Sequence, residues 1–377
     1  MNERTTIWIF LSTSNLGGAE LRFWGLWKYA CERKSENNHI KLVGSKKLFE
    51  ILLEKDNEFA TNLPLETSDF VEYDLSGNIF HFREKIKKFI DRYVSPKDIL
   101  HFVDGNPLIR TQAKQVFSIT QSSLKNLNIK GRLIQFLGAI NSDIIDVLDP
   151  KIFQIFSKFF LIKKEKLLMT TNSHCDVDKF VMAPFSEKKD WFVFLGRFEH
   201  VKQVDRLLEV IPVIYEKVKS RFNNDLRFYF LGYGSLESKL MQIKAEGKFK
   251  DIPVFIEKSK TPQNILKLSK FFFSVQLNNN WPSRSLIEAM CAGNIPICTD
   301  VGQTRWLAKP DFSFYVPELF TVEEVVSAFD QIINQGDLEL QNKTTLARNT
   351  VLAEHTIEKM YEYYDVLYKK IQEKQFD

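Results

Sequence analysis

The sequence predicts an α/β protein with two domains, each built around a parallel β-sheet. The chain has 377 residues, roughly two to three times the size of an ordinary domain. A short apolar strand, a turn containing glycine and an amphipathic helix follow one another from residue 6, and the same order begins again at residue 191. Hydrophobic residues make up 44% of the chain, enough for two cores, so global disorder is excluded.

In the first half, apolar runs between polar turns predict a set of buried strands. Residues 80–93 have the spacing of a basic amphipathic helix, and another helix follows the glycine turn at residues 12–18. The predicted strands span residues 6–11, 40–43, 98–103, 131–139 and 166–171.

The second half repeats this pattern after a linker at residues 178–189, which contains Pro184 and a charged run. Its predicted strands span residues 191–195, 226–231, 254–256, 271–275 and 295–298, and its helices span residues 204–219, 235–246 and 282–292. Residues 355–375 form a last amphipathic helix. We therefore expect Rossmann-like domains at 1–182 and 183–350, followed by a terminal segment at 351–377. Ligands of such folds bind at the carboxyl ends of the strands, so the site is expected in a cleft between the two domains.

Charge and cysteine content exclude several classes of protein. Fifty-two basic and 48 acidic residues give a net charge of +4, too little to argue for nucleic acid binding. The four cysteines lack CxxC spacing, which favours a reducing cytoplasm over a zinc or disulfide scaffold. No apolar run is long enough for a membrane-spanning helix, and the first residues do not resemble a secretory signal.

The loop at residues 196–202 is the richest in chemistry. Arg197 and Lys202 flank a turn from a strand into a helix, where two cations and a helix N-terminus can meet one anion, such as a diphosphate. The alternative is a pair of solvated surface cations.

A carboxylate near the start of an apolar helix is the second candidate. Glu288 is costly to bury without a partner, and the paired hydroxyls of a ribose would satisfy both of its oxygens. The alternative is a favourable interaction with the helix dipole.

Several short motifs of the second half occur together in one order. They are Gly196-Arg197, Lys202, Asp205-Arg-Leu-Leu, Leu231-Gly-Tyr-Gly234, Ser285-Leu-Ile-Glu288-Ala-Met-Cys-Ala-Gly293-Asn-Ile-Pro296 and Asp300-Val-Gly302. With these motifs the second half resembles the nucleotide-sugar domain of GT-B glycosyltransferases, most of all glycosyltransferase family 4. The first glycine loop, residues 14–20, is also similar to that family's first loop.

The resemblance implies a GT-B fold, with a first domain for the acceptor, a second for the donor, and a C-terminal helix that returns to the first domain. It implies that Arg197 and Lys202 hold the donor diphosphate and stabilise the departing nucleotide, and that Glu288 binds the ribose. The donor-binding residues that it implies are Gly17, Gly18, Gly196, Gly232, Gly234, Asn279, Asn280, Ser285, Leu286, Glu288 and Gly302.

The sequence departs from the family at the first acid of its paired-glutamate motif. Asn280 or Asn279 stands in that place. An amide forms hydrogen bonds but carries no charge, so the identity of the sugar and turnover itself are left open.

Two polar residues of the first half lie at the end of the strand predicted for residues 98–103: His101 lies within its last residues, and Asp104 follows it. His101 either lines the cleft or is a core histidine with a hydrogen-bond partner, and Asp104 is a rival catalytic candidate. His174 and His200 are interpreted as structural.

The sequence contains no Asp-x-Asp or His/Asp cluster in a suitable loop, so we expect neither a metal nor a cofactor. Positioned cations would then meet the charge that develops on the leaving nucleotide. The resemblance implies retention of anomeric configuration.

Residues 151–166 combine apolar side chains with lysines, as an interfacial helix does, and residues 82–93 are similar. The alternative is a helix packed on the sheet with a solvated basic face. The first interpretation predicts peripheral contact with an anionic membrane at its inner face.

The sequence thus predicts a cytoplasmic glycosyltransferase that moves a sugar from a nucleoside-diphosphate sugar to a glycan or lipid-linked acceptor, in cell-surface polysaccharide or lipopolysaccharide synthesis. Two alternatives stay open: a nucleotide-sugar epimerase on the same fold, and a catalytically silent nucleotide-sugar-binding subunit.

Overall fold

The chain divides into two compact units in a computed structural model. The first unit comprises Met1–Thr171 and Ile357–Asp377, and the second comprises Asn172–Thr356. The structure describes residues 5–13, 16–33, 38–55, 69–75, 79–120, 128–170, 173–222 and 225–373.

The first unit is built on a parallel sheet of seven strands in the order β3-β2-β1-β4-β5-β6-β7. The register pairs Ile9 of β1 with Leu42 on one side and His101 on the other. The strands are β1 (Thr5–Leu11), β2 (Asn38–Gly44), β3 (Phe70–Glu72), β4 (Ile99–Val103), β5 (Lys114–Ile119), β6 (Ile144–Val147) and β7 (Leu167–Met169). The helices that cover them are α1 (Gly18–Arg33), α2 (Lys46–Lys55), α3 (Ile79–Tyr93), α4 (Ile129–Asn141) and α5 (Pro150–Ser157).

The strand predicted for residues 131–139 is wrong, because these residues lie in helix α4. The side chain of Asn128 caps this helix by accepting a hydrogen bond from the Gly131 amide at 2.8 Å. The apolar residues of α4 lie on more than one face, so its sequence lacks the periodic pattern by which an amphipathic helix is predicted. The helix expected over residues 151–166 is also shorter than predicted, since α5 ends at Ser157.

The second unit has a parallel sheet of six strands in the order β10-β9-β8-β11-β12-β13. Its core is aromatic: the ring of Phe192 stacks on that of Phe271 at 4.5 Å and on that of Phe228 at 5.4 Å. The strands are β8 (Lys189–Arg197), β9 (Arg227–Tyr233), β10 (Val254–Glu257), β11 (Ser269–Ser274), β12 (Ile295–Thr299) and β13 (Phe314–Val316). The helices are α6 (Val204–Val218), α7 (Glu237–Lys244), α8 (Pro262–Leu268), α9 (Arg284–Cys291), α10 (Thr304–Leu307), α11 (Val322–Ile333) and α12 (Asp337–Glu354).

Both units therefore have the predicted α/β class with Rossmann-like parallel sheets. The last helix, α13 (Ile357–Glu373), returns to the first unit as the resemblance implied, and it packs on α1.

Helix α13 is fixed to the first unit by a buried polar network as well as by apolar contacts. The Asp146 carboxylate on β6 accepts hydrogen bonds from the hydroxyls of Tyr363 at 2.6 Å, Tyr364 at 2.9 Å and Ser118 at 2.7 Å. Asp146 and Tyr364 are almost completely buried. A buried carboxylate is tolerated when its oxygens are bonded in this way, so the network holds the helix to the sheet.

We expect Asp146→Ala to lower the free energy of unfolding by about 3 kcal/mol or more, because three hydroxyl groups lose their acceptor at once. Urea denaturation measures this difference. The control is Lys369→Ala, which removes an exposed ion pair between Lys369 and Asp365 on the same helix and is expected to cost less than about 1 kcal/mol. Equal effects of the two substitutions would show that the network does not stabilise the helix.

Candidate functional site

The candidate site lies where strands of the second unit end. Strands β8, β9, β11 and β12 are parallel, so their carboxyl ends share one edge of the sheet. The loop after β8 is tied to its neighbours by backbone hydrogen bonds: Phe198 N to Tyr233 O at 2.8 Å, and Leu277 N to Val201 O at 2.9 Å. These bonds bring the ends of β8, β9 and β11 together around residues 198–203.

Two of the predicted glycines, Gly232 and Gly234, allow this close approach. Gly196 and Gly232 pair across β8 and β9, and a Cβ atom at Gly232 would lie 1.9 Å from the Gly196 carbonyl oxygen. A Cβ atom at Gly234 would lie 2.6 Å from the carbonyl oxygen of Phe198. Any side chain at Gly232 or Gly234 would therefore push the loop away from the strand ends.

The two predicted cations of this loop lie close enough to repel each other. Lys202 is half-buried and its Nζ donates a hydrogen bond to Oε1 of Gln276, whereas Arg197 is exposed at the end of β8. Burial, followed by repulsion from Arg197, lowers the pKa of the Lys202 ammonium to about 8. The pair therefore concentrates positive charge at the edge of the sheet.

Gln276 connects Lys202 to the next loop. Its Nε2 donates to the carbonyl oxygen of Asn279, and its backbone N–H donates to the buried hydroxyl of Thr299 at 2.9 Å. That hydroxyl donates in turn to the carbonyl oxygen of Gln276 at 2.8 Å. Gln276 could not be predicted from the sequence, because its contact with Lys202 spans 74 positions and leaves no local pattern.

Asn279 and Gly302 fit together at the ends of β11 and β12. The side-chain oxygen of Asn279 accepts hydrogen bonds from the amides of Trp281 at 3.1 Å and Gln303 at 3.3 Å. Gly302 has φ +53°, and a Cβ atom there would lie 2.5 Å from that same oxygen. The left-handed backbone and the close contact together require glycine at this position.

Asn280 is directed back towards the sheet. Its side chain is buried, and Nδ2 donates to the Ser274 hydroxyl at 2.7 Å and to the Ser274 carbonyl at 3.3 Å. The amide at the place of the missing acid is therefore used to fix the end of β11.

Helix α9 carries the remaining candidates. Glu288 has only 14% of its side chain exposed, and its Oε1 accepts a hydrogen bond from Nε of Arg284, one turn earlier, at 2.9 Å. Ser285 is half-buried. Leu286 is fully buried in the core of the unit, so only its backbone is available to a ligand in this conformation.

In the first unit, His101 is enclosed in the core. It has no exposed surface; its Nδ1 lies 2.7 Å from the Tyr368 hydroxyl, and its Nε2 lies 2.7 Å from the Ser118 hydroxyl. Burial, with a smaller effect of Arg22, lowers its pKa to about 3, so the ring is neutral. Of the two alternatives for His101, these contacts favour the core histidine.

Asp104 lies at the carboxyl end of β4 with φ +54°. It is half-buried, and its carboxylate accepts hydrogen bonds from the Thr120 amide at 2.7 Å and the Thr120 hydroxyl at 2.5 Å. This carboxylate fixes the ends of two strands in their relative position.

The predicted N-terminal glycine loop is described only in part, because residues 14 and 15 lie outside the described residues. Helix α1 begins at Gly18, where an added Cβ atom would meet nothing within 4 Å. At Gly17 a Cβ atom would lie 2.8 Å from Oε2 of Glu20.

The described residues contain no cluster of three or more His, Cys, Asp or Glu side chains with the arrangement of a metal site. None of their helices has the length and apolar character needed to cross a bilayer.

The second unit matches a known protein family. Residues 178–347 match the family model described as glycosyl transferases group 1. The resemblance to GT-B glycosyltransferases is confirmed over this region, and with it the enzyme class, a glycosyltransferase that depends on a nucleotide sugar. Membership of family 4 stays a prediction. No curated protein matches the chain.

The fold is shared with solved structures that cover almost the whole chain. A glycosyltransferase from Rickettsia africae superposes with a TM-score of 0.73 at 14% identity, over 98% of this chain and 99% of that one. Anabaena HepE in complex with UDP and glucose superposes with a TM-score of 0.71 at 11% identity, over 97% of this chain and 100% of that one. WaaG, a glycosyltransferase involved in lipopolysaccharide biosynthesis, superposes with a TM-score of 0.65 at 12% identity, over 97% of this chain and 99% of that one.

We expect Gln276→Glu to raise the pKa of Lys202 by one unit or more, because a carboxylate in place of the amide oxygen stabilises the ammonium. Titration of lysine side-chain resonances by NMR, with Lys202→Arg used to assign the signal, measures the shift. The control is Gln242→Glu on the exposed surface of α7. A Lys202 pKa that responds to neither substitution would contradict the contact with Gln276.

Proposed function

We propose that this protein transfers a sugar from a nucleoside-diphosphate sugar to a glycan or a lipid-linked acceptor, with the second unit binding the donor and the first unit binding the acceptor. The observation that carries the proposal is the pair of cations, Arg197 and Lys202, at the strand ends of a unit that matches glycosyl transferases group 1. The UDP-bound Anabaena structure of the same fold supports a nucleoside diphosphate as the ligand.

The neutral character of Gln276 matters for this chemistry. An amide oxygen holds the Lys202 ammonium in place but leaves its charge uncompensated, whereas a carboxylate would neutralise it. The free site therefore carries positive charge that a diphosphate neutralises on binding. Positioned charges of this kind act most strongly where water is excluded.

In the proposed reaction the bond between the sugar and the diphosphate oxygen breaks, and that oxygen keeps the electron pair. Arg197 and Lys202 stabilise the developing negative charge by donating hydrogen bonds to the diphosphate. The acceptor hydroxyl forms the new bond to the sugar and transfers its proton to the departing diphosphate oxygen. We propose that the transfer retains anomeric configuration and that these cations supply the stabilisation that a metal ion provides elsewhere.

Glu288 is proposed to bind the ribose of the donor. Its carboxylate is only slightly exposed and is held by Arg284, which leaves oxygen lone pairs for two adjacent hydroxyls. Asn280 is proposed to act through the backbone: its bonds to Ser274 hold the β11 end, so that the loop at residues 276–280 keeps its shape around the transferred sugar.

The setting is proposed to be cell-surface polysaccharide or lipopolysaccharide synthesis, in the cytoplasm and at the inner face of the membrane. Support comes from the sequence resemblance and from WaaG, whose fold this chain shares and which is involved in lipopolysaccharide biosynthesis.

The direct test is a panel of UDP-, GDP- and ADP-sugars, screened first for binding by thermal shift and then for turnover with and without glycan and lipid-linked acceptors. Nucleotide release that depends on an acceptor is the expected result. An isomerised donor without any acceptor would identify an epimerase, and binding without turnover would identify a silent subunit; either result overturns the proposal.

Arg197→Ala and Lys202→Ala are each expected to lower kcat about 100-fold, because each removes a donor worth on the order of 3 kcal/mol to the leaving group. Steady-state kinetics with the best donor measures the loss. Lys217→Ala, which removes a cation paired with Asp330 elsewhere on the unit, is the matched control and should leave kcat unchanged. Unaltered rates in both site variants would exclude the phosphate assignment.

Donor affinity is expected to depend on pH because the pKa of Lys202 is near 8. Well below this pH the free protein carries the ammonium, so the dissociation constant is lowest near pH 7, is about twofold higher near pH 8 and rises further as the pH increases. Calorimetric titration with the nucleoside diphosphate from pH 7 to 10 measures the profile. Lys202→Arg stays charged throughout and should give a flat profile. A wild-type profile as flat as that of the arginine variant would contradict the assignment.

A further inference from the structure

Trp306, in the short helix α10, is the one tryptophan of this chain that solvent reaches over much of its surface. It is 46% exposed, whereas the other five tryptophans lie in the cores and are between 3% and 9% exposed. An indole ring is the largest apolar side-chain surface available to a protein, and leaving it in water forfeits the free energy of its burial. A ligand that covers the ring would recover this free energy.

A series of contacts connects Trp306 to the charged loop of the candidate site. Lys202 is hydrogen-bonded to Gln276, whose side chain bonds in turn to the carbonyl oxygen of Asn279. The side-chain oxygen of Asn279 accepts a hydrogen bond from the amide of Gln303 at 3.3 Å, and the amide of Trp306 donates to the Gln303 carbonyl at 3.0 Å. Trp306 therefore follows the end of β12, at the same edge of the sheet as the cations and two strands from β8.

The orientation of the Trp306 ring is fixed by a second tryptophan. The rings of Trp306 and Trp281 meet edge to face, with their centroids 5.7 Å apart and an angle of 77° between their planes. Trp281 is only 6% exposed, and its amide donates to the side-chain oxygen of Asn279 at 3.1 Å. An edge-to-face contact covers only part of an indole, so the rest of the Trp306 ring is presented to solvent in a fixed position.

The polar groups next to the ring suit a neutral ligand. Nε and Nη2 of Arg305 donate to the two carboxylate oxygens of Asp300 at 2.9 and 2.8 Å, so the charge of this arginine is compensated. Gln303 is uncharged, and its side-chain oxygen is buried and accepts no hydrogen bond from any residue that the structure describes. A buried acceptor without a donor is costly, and a hydroxyl group of a ligand would satisfy it.

The two amides at the place of the missing acid are directed into the protein. Asn280 is 2% exposed and is bonded to Ser274, and Asn279 is 8% exposed with its oxygen bonded to two backbone amides. Another group must then hold the sugar of the donor. A pyranose has C–H groups on its faces and hydroxyls around its rim, so a flat apolar ring beside a hydrogen-bonding side chain is complementary to it.

We propose that the sugar ring of the donor stacks on Trp306 and that the Gln303 side chain forms a hydrogen bond with one of its hydroxyls. The inference deepens the proposed function and rests on it, because the sugar is bonded to the diphosphate that Lys202 is proposed to hold. A nucleobase fits less well, since it is joined to the other end of the diphosphate through the ribose, which Glu288 is proposed to bind.

Calorimetric titration with matched pairs tests the proposal: UDP with UDP-glucose, GDP with GDP-mannose, and ADP with ADP-glucose. In the pair with the highest affinity, Trp306→Ala should weaken binding of the nucleotide sugar about tenfold and change that of the nucleoside diphosphate less than about twofold. Trp306→Phe keeps a flat ring and should lose about threefold. Leu338→Ala, at a leucine of α12 that is 70% exposed, is the control and should change neither affinity.

The contribution of Gln303 is tested in the same titration. Gln303→Ala keeps the backbone amide that bonds to Asn279 and removes the side-chain oxygen, so it should weaken binding of the nucleotide sugar alone, by about threefold. An equal loss for the nucleoside diphosphate would show that Gln303 acts on the shape of the loop and would exclude its contact with the sugar.

A measurement on the wild-type protein needs no variant. Trp306 provides most of the exposed tryptophan surface, so a bound nucleotide sugar should reduce the quenching of tryptophan fluorescence by acrylamide, whereas the nucleoside diphosphate should not. Quenching that is the same with both ligands would overturn the proposal.

The remaining outcomes separate this inference from the proposed function. Equal losses for the nucleotide sugar and the nucleoside diphosphate in Trp306→Ala would place the ring against the nucleotide, and a higher acceptor KM with unchanged donor affinity would place it in the acceptor site; either result overturns the inference. Unchanged affinities in Trp306→Ala of a protein that turns over its donor would overturn the inference alone. A wild-type protein that binds none of the three pairs would overturn the proposed function.

Discussion

The candidate site depends on one interaction, the hydrogen bond from the Lys202 ammonium to the neutral side chain of Gln276. The ammonium is withdrawn from water and repelled by Arg197, and its pKa falls to about 8. Its hydrogen bond to a neutral amide leaves the positive charge of the site uncompensated by that partner. Gln276 also forms hydrogen bonds with Asn279 and Thr299, so the position of the charge is fixed relative to the ends of β11 and β12. An anion that binds here would relieve the repulsion and so gain affinity.

The fold brings these groups together through backbone geometry. Gly232 and Gly234 let the loop after β8 lie against the end of β9, where any Cβ atom would collide with backbone. Gly302, after the end of β12, lets the side chain of Asn279 lie against the backbone, because a Cβ atom there would collide with the side-chain oxygen of Asn279. These glycines place the loops at the carboxyl edge of the sheet, which is where a doubly wound fold binds its ligands. The strands that precede these loops, β8 and β11, keep Lys202 and Gln276 within hydrogen-bond distance of each other.

The fold class could be predicted from the sequence because strands, glycine turns and amphipathic helices are encoded locally. The cations and glycines of residues 196–202 and 232–234 could be selected as candidates because they also form local patterns in the sequence. Gln276 could not, since its contact with Lys202 is created by the sheet. The strand predicted at residues 131–139 failed because α4 exposes apolar side chains on its outer face, which obscures the helical period. The enclosure of His101 depends on Tyr368, 267 positions away.

The most direct test of this account is the ratio of dissociation constants for the nucleoside monophosphate and diphosphate of the preferred base, measured by calorimetry. If the Lys202 ammonium contacts the second phosphate, the wild-type protein should favour the diphosphate by tenfold or more, and Lys202→Ala should lose most of that preference while binding the monophosphate nearly as well. A preference that is the same in both proteins would place the diphosphate away from Lys202 and contradict the account.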